Sequence, residues 1–360
     1  MSLDLSPLEQ SSRLLFEIAL RPLQGRRFQP TGFPGLGAAT FQTPQGLSLL
    51  VESAQSMANH LERALWDEAT NDLRTAAMGL SHVRVVRGVG DTPAQRAKSI
   101  SKQFLTDSLI EAHRINSPYV MFGAIEDGLF FDRLGEQLNA FEAGPVPSRR
   151  DIAAHFLRWD ACALLHGAFL SAKKGKDKTL AGGRLRLSRA LSAFIEADGV
   201  RVAASGGVKN DHVNPSGDAR AGFANVPFAR DEFTAERITL FVNLDLGQIR
   251  GYGLGPDVER LLVLLALYKL RLLLDGSLRL RTACDLEPVS TDTVARRPAG
   301  FALPPAAELE PAVKAAIAAC KERMVLTVVE FNDELKKAKD GDKADGGPPD
   351  DGEADDNDAS

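Results

Sequence analysis

The chain has 360 residues, 44% of them apolar and 25% charged, enough for a sizeable core in one domain with large insertions or in about two domains. Cys162, Cys284 and Cys320 are far apart and form no CxxC pair, which excludes a disulfide framework and a thiolate zinc site and fits a reducing, cytoplasmic compartment. The net charge of −5 misleads, because nine acids between 340 and 360 face Lys343 alone; removing them from the 48 acidic and 43 basic residues leaves 39 and 42, a body of +3.

Residues 1–13 are polar and lack the apolar run of a secretory leader. Residues 13–20 read as a buried strand stopped by Pro22, and 24–39 as a polar loop rich in Gly and Pro. Across 49–65, Val51, Ala54, Ala58, Leu61 and Leu65 recur at three- and four-residue steps, which predicts a helix. A short strand is expected at 83–86 and a short helix at 106–115. Ser148 is placed to cap a helix, with Asp151 three residues on, that runs to about Ala172. A basic loop with Lys173, Lys174, Lys176 and Lys178 follows, then a strand at 182–187 with Arg184 and Arg186 on one face, and a helix near 189–197.

Residues 203–231 show no apolar period and are either a functional projection or a hairpin with a weak signal. Residues 239–246 alternate as a strand. Pro256 opens an apolar helix that Gly276 stops. Lys269 and Arg271 interrupt its greasiest part, and the uncharged run 261–268 is far short of the roughly 20 residues a membrane span needs. A strand at 278–282 places Arg279 and Arg281 on one face, and 311–337 is expected to be the last helix. The acidic stretch after it, 338–360, holds too little apolar surface to fold and reads as a disordered, solubilising tail. Helices and strands mix without a regular alternation, so the predicted class is α+β.

Three chemistries compete for the polar residues. Gly251-Tyr-Gly-Leu-Gly255 runs into a helix, but it is not GxGxxG and lacks the Lys-Ser/Thr of a phosphate-binding loop. The six histidines are scattered without HxxxH or HExxH pairs, no GxSxG elbow is present, and Asp211-His212 alone is thin support for a nuclease. No catalytic residue, metal ligand or cofactor is therefore assigned. A polyanion needs distributed donors on loops and helix ends, and these are present. Arg26, Arg27, Gln29 and Thr31 share one loop with Phe28, and Ser53, Gln55, Ser56 and Asn59 offer uncharged donors at a helix start. Lys173 and Lys174, then Lys209, Asn210, Arg220, Asn225, Phe228 and Arg230 in the central segment, and Arg250 complete the candidate set.

At the same segments the chain resembles a known family. RFQPTGFPGLGAATF (27–41), LLVESAQSMANHLE (49–62), GGVKNDHVNPSG (206–217), GFANVPFARDEFTA (222–235), FVNLDLGQIRGYGLG (241–255) and LRLRTACDLE (278–287) are similar to the CRISPR-associated RAMP protein of type I-G (formerly I-U) systems, the seventh-family backbone subunit of the Cascade-like interference complex. The similarity spans roughly residues 12–290 in order. It implies one RAMP domain over 1–337, with an RRM-like (ferredoxin-like) palm, large insertions and a thumb-like projection within 203–231. It also implies a non-catalytic subunit, packed in several copies head to tail along the spacer of a CRISPR guide RNA. The partners implied are that RNA, further copies of the chain, other type I-G effector subunits and target DNA paired to the guide, with no membrane. Ser53, Gln55, Ser56 and Asn59 then lie on the RNA-facing helix. His60 stands where many relatives carry Arg. The alternative is a RAMP endoribonuclease that trims precursor RNA, for which Tyr252 and His212 are the candidates.

Overall fold

Burial along strand β1 (Arg13–Pro22) alternates residue by residue: Leu14, Phe16, Ile18 and Leu20 face the core while Glu17, Ala19 and Arg21 face solvent. That period of two is what a strand with one covered face requires. The computed structural model describes residues 3–33, 37–44, 46–126, 128–138, 147–171, 173–174, 178–179, 186–221, 223–276 and 278–335. After β1 come β2 (Thr40–Thr43), β3 (Gly46–Glu52), helix α1 (Ala54–Arg63), β4 (His82–Gly88), β5 (Lys102–Asp107), β6 (Ala124–Ile125) and β7 (Gly128–Leu129). Helices α2 (Arg149–Trp159) and α3 (Ala163–His166) lead to β8 (Leu191–Asp198), β9 (Arg201–Lys209), β10 (Val226–Thr234) and β11 (Arg237–Asp245). The chain continues through α4 (Leu246–Gly251), α5 (Pro256–Asp275), β12 (Leu278–Arg281), β13 (Cys284–Pro288), α6 (Ala306–Cys320) and β14 (Leu326–Glu330).

The result is a mixed α+β fold. Its main sheet is antiparallel, in the order β12-β13-β1-β11-β8-β3-β2. Helix α1 lies on β8, and α5, apolar on nearly every side, is buried between α1 and α6. On the opposite sheet face Phe194 and Phe241, both half-buried, stack with ring centroids 5.1 Å apart. A second sheet, β7-β6-β14-β4-β5, is assembled from the insertion and the C-terminal strand, with β14 parallel to β4. No helix among the described residues is long and apolar enough to cross a membrane.

Several sequence expectations change. The stretch 49–65 divides at Ser53: Leu49 and Val51 are buried strand residues of β3, and the Ser53 side chain accepts the Ser56 N–H to start α1. Val51 fits both periods, so the helical count absorbed a strand end. The helix expected at 106–115 is instead the end of β5 and a turn, because the Asp107 carboxylate accepts the Leu109 N–H and bonds His82 Nδ1 at 2.7 Å. The helix capped by Ser148 ends at Trp159, where Asp160 turns extended and its side chain accepts the Ala163 N–H to begin α3. Residues 191–198 form strand β8, not a helix, since Leu191, Ala193, Ile195 and Ala197 fill the face between β11 and β3. The last helix starts earlier, at Ala306, and stops at Cys320, leaving β14 to complete the second sheet.

The weak-signal segment is a hairpin: β9 and β10 pair over nine residues from Arg201↔Thr234 to Lys209↔Val226. Of the expected strand at 182–187, Arg186–Leu187 pairs with Ala168–Phe169, while 182–185 lie outside the described residues, as does the acidic tail.

Beneath α1 lies a buried polar cluster. Arg114 donates from Nε and Nη2 to the two carboxylate oxygens of Glu62 at 2.7 and 2.9 Å. Asp160 lies nearby, wholly buried, and burial followed by the Glu62 charge raises its pKa to about 6. Lys269, also wholly buried, donates to His166 Nε2 at 2.7 Å and to Cys162 Sγ at 3.2 Å.

Candidate nucleic-acid interface

The loop after β1 is held from three sides. Phe28 is buried and exchanges both backbone hydrogen bonds with Phe233 at the root of the hairpin, at 2.9 and 2.8 Å. The Gln29 N–H donates to Ala283 O in the β12–β13 turn, and the Thr31 N–H donates to Val51 O at the end of β3. Arg281 completes the fastening by donating to Gln29 O and Val51 O, both at 3.1 Å, while it pairs with the buried carboxylate of Glu52. His60 Nε2 approaches the same carboxylate at 3.5 Å. Burial, and then the charge of Arg63, lower the pKa of His60, which favours the neutral ring.

This fastening gathers three separated segments at one end of the main sheet. Arg26, Arg27, Gln29 and Thr31 lie on the loop, and Ser53, Gln55, Ser56 and Asn59 begin the adjoining helix, with Asn59 exposed. Arg230 sits midway along the hairpin, opposite Ser205, and its side chain reaches Glu232. The cations are not equivalent. Arg26 is exposed and has no ion pair or side-chain hydrogen bond among the described residues. Arg27 Nε lies 3.5 Å from Glu232 Oε2 and Arg230 Nη2 bonds Glu232 Oε1 at 2.5 Å, so both share one carboxylate that is only 5% exposed. The sequence reading passed over Glu52 and Glu232; Glu52 ends an apolar strand run, whereas Glu232, beside Arg230 and Asp231, carries no local signal of its burial. It did note Arg281, on the face it shares with Arg279, without assigning its fastening role.

Other predicted residues lie elsewhere. Lys209 and Asn210 are exposed near the hairpin tip, and Lys209 is four strand residues, about 13 Å, beyond the Ser205↔Arg230 pair. Arg250 is at the opposite end of the sheet: it follows Asp245, which pairs with Arg13, whereas the loop follows the end of β1 where Leu20 pairs with Ile238. Seven strand steps, about 24 Å, separate those pairs. Arg250 Nη2 donates to Ser11 O at 2.6 Å. Lys173 and Lys174 pair as backbone with 178–179, and their side chains lie outside the described residues.

Of the catalytic candidates, Tyr252 is committed to structure, whereas His212 is exposed near the hairpin tip. Tyr252 is fully buried; its hydroxyl donates to Leu164 O at 2.8 Å and accepts from Gln248 Nε2 at 2.7 Å, and burial raises its pKa. The Asp211 carboxylate accepts the N–H groups of Val213, Asn214 and Ala224, bonds that lower its pKa and organise the hairpin tip. Among the described residues no group of three or more His, Cys, Asp and Glu is arranged to hold a metal ion.

Comparison with known proteins gives one family match: the model described as "CRISPR-associated protein GSU0053" covers residues 14–202. No curated protein matches the chain. Among solved structures, a chain of a "CRISPR RNA-guided surveillance complex, pre-nicking" is similar at 13% identity and a TM-score of 0.34, over 72% of this chain and 71% of that one. Csc2 of Thermofilum pendens is similar at 10% identity and a TM-score of 0.30, over 88% of this chain and 77% of that one.

Proposed function

The chain belongs to the CRISPR-associated protein GSU0053 family, and on that premise we propose that it is a non-catalytic, guide-RNA-binding backbone subunit of a type I-G interference complex. Several copies line the spacer of the guide head to tail, alongside the other effector subunits, and present it for pairing with target DNA in the cytoplasm. The observation that carries this reading is the convergence of donors from residues 26–31, from 53–59 and from the hairpin at one end of the main sheet. Such a set grips a sugar–phosphate backbone without reading sequence. The strand order β13-β1-β11-β8, with α1 between β1 and β8 in sequence and α5 between β11 and β13, supports a ferredoxin-like palm. The β9–β10 hairpin, inserted between two palm strands, is the thumb in this reading. The enclosed hydroxyl of Tyr252 speaks against the endoribonuclease alternative at that residue, and exposed His212 is the candidate that a cleavage assay decides.

Expression with a CRISPR array tests the reading: the protein is expected to co-purify with RNA of defined length. In binding titrations Arg26→Ala and Lys209→Ala are each expected to weaken unrelated RNA sequences alike and to flatten the salt dependence by about 0.7 per lost contact. A loss confined to one sequence, or precursor cleavage that Tyr252→Phe or His212→Ala abolishes, overturns it.

A further inference from the structure

We propose that a second sugar–phosphate site lies at the end of the sheet remote from the loop and hairpin, where Arg149 and Arg150 flank a glycine-lined cavity beside Arg250. The proposal rests on the reading above that the ligand is nucleic acid, and it adds a second point of attachment on the same subunit.

The cavity, of about 410 Å³, is lined by Arg149, Asp245, Gly247, Gln248 and Gly251. That volume falls within the range of small-ligand sites and accommodates a nucleotide unit. Two glycines share its wall with the side chains of Arg149, Asp245 and Gln248, and the place of a Cβ at Gly247 lies 3.3 Å from Asp245 Oδ1. A Cβ at Gly251 would meet nothing within 4 Å, and the two non-glycine residues of the following turn, Tyr252 and Leu254, are both buried. Gly253 takes a φ of +65°, which favours glycine, and the stem of Arg150 lies 3.8 Å from where its Cβ would stand. The N–H groups of Gly247, Gln248, Tyr252 and Gly253 are all bonded within the fold, so the donors this end of the sheet offers to a ligand are the arginines, with Arg149 in the cavity wall and Arg150 beside it.

The placement of those arginines is difficult to explain by folding. They are the first two residues of α2, after its cap Ser148, where the helix dipole disfavours cations. Both are exposed, and neither has an ion pair or a side-chain hydrogen bond among the described residues. The one acid in the wall, Asp245, is already engaged: it pairs with Arg13 Nη2 at 2.9 Å and accepts the Gln248 N–H at 2.8 Å. Arg250 spends one N–H group on Ser11 O and keeps its charge uncompensated. Adjacent guanidinium groups without an acidic partner among the described residues are the chemistry of a phosphate contact.

The test uses the full chain and its Arg149→Ala/Arg150→Ala double variant. A fluorescent single-stranded RNA long enough to span the sheet is titrated at several salt concentrations. Two lost phosphate contacts on a single strand should reduce the salt slope by about 1.4 and weaken binding about 25-fold at 0.1 M salt. Thermal stability should hold or rise, because cations leave a helix N-terminus. Unchanged affinity and slope in the variant, with the wild type binding RNA, overturns the second site alone. A parallel loss of stability assigns the arginines to folding and also overturns it. A wild type that fails to bind RNA removes the function proposed above and this site with it. Adenosine monophosphate, titrated by calorimetry, separates the two sources of phosphate: saturable binding lost in the variant while RNA affinity stays intact would assign the cavity to a free nucleotide, against the proposal.

Discussion

Glu62→Gln is the sharpest single perturbation, because it removes one charge from the buried pair that ties α1 to the insertion. Glu62 and Arg114 have side chains only 4% and 12% exposed, joined by two hydrogen bonds of 2.7 and 2.9 Å. Breaking a buried pair by neutralising one member typically costs about 3–5 kcal/mol, since the other charge remains desolvated. Asp160 moderates this. Its charge already acts on Arg114, and without the repulsion of Glu62 its carboxyl ionises still more readily, so an anion stays beside the guanidinium. A net loss of about 2–4 kcal/mol follows, which at about 2 °C per kcal/mol for a chain of this size lowers Tm by about 4–8 °C. Urea denaturation of Glu62→Gln, of Arg114→Met and of the double variant gives the coupling directly. A coupling above about 1.5 kcal/mol is expected, with the double variant recovering part of the loss because no buried charge is stranded. Additivity within about 0.5 kcal/mol would refute the pair as the anchor of α1.

Three further outcomes are expected. Asp160 has a folded pKa of about 6, above its ordinary 3.8, so its own contribution to stability is fully present below pH 4 and is lost as the pH rises through 6. Asp160→Asn should lack that loss and exceed wild type at pH 7; denaturation midpoints that track each other from pH 4 to 7 would contradict it. Lys269 is wholly buried against His166 and Cys162, neither of them an anion, so Lys269→Met should leave stability unchanged or raise it by about 1–3 kcal/mol, and a clear loss in chemical denaturation would refute that. Glu232→Gln frees Arg27 and Arg230 from their shared carboxylate and should steepen the salt dependence of RNA binding by about 0.7; weaker binding at an equal folded fraction would mean that Glu232 positions the arginines.

Much of the fold is legible in the sequence wherever one period dominates. Residues 13–20 and 239–246 alternate over their whole length and form β1 and β11, and Pro256 and Gly276 bound α5. The failures share a cause. Residues 191–197 contain Leu, Ala, Phe and Ile in an order that either element accepts, and only the gap between β11 and β3 decides for a strand. Residues 106–115 turn on the contact of Asp107 with His82, 25 positions away, which no local window contains. The hairpin is nearly silent because, apart from the bridge of Phe233 to Phe28, its strands pair with each other, leaving Val202, Val208 and Val226 exposed and without the alternation that a covered face imposes.

The candidate interface was legible as a set of residue types but not as a distribution of charge. On paper Arg26, Arg27 and Arg230 count equally, yet two of them share Glu232, so this cluster carries +2 rather than +3 towards a ligand. Arg149 and Arg150 attract no notice in sequence because they open an ordinary capped helix; only the absence of acidic partners and the glycine turn beside them give them weight. For a phosphate backbone the relevant quantity is the number of cations left uncompensated after the fold has paired its own, since only those release counterions on binding. Pairing of that kind is decided by strand register and buried carboxylates. It therefore moves the centre of gravity of the charge away from the arginine-rich loop and towards both ends of the sheet, the hairpin tip at Lys209 on one side and Arg149 and Arg150 at the start of α2 on the other.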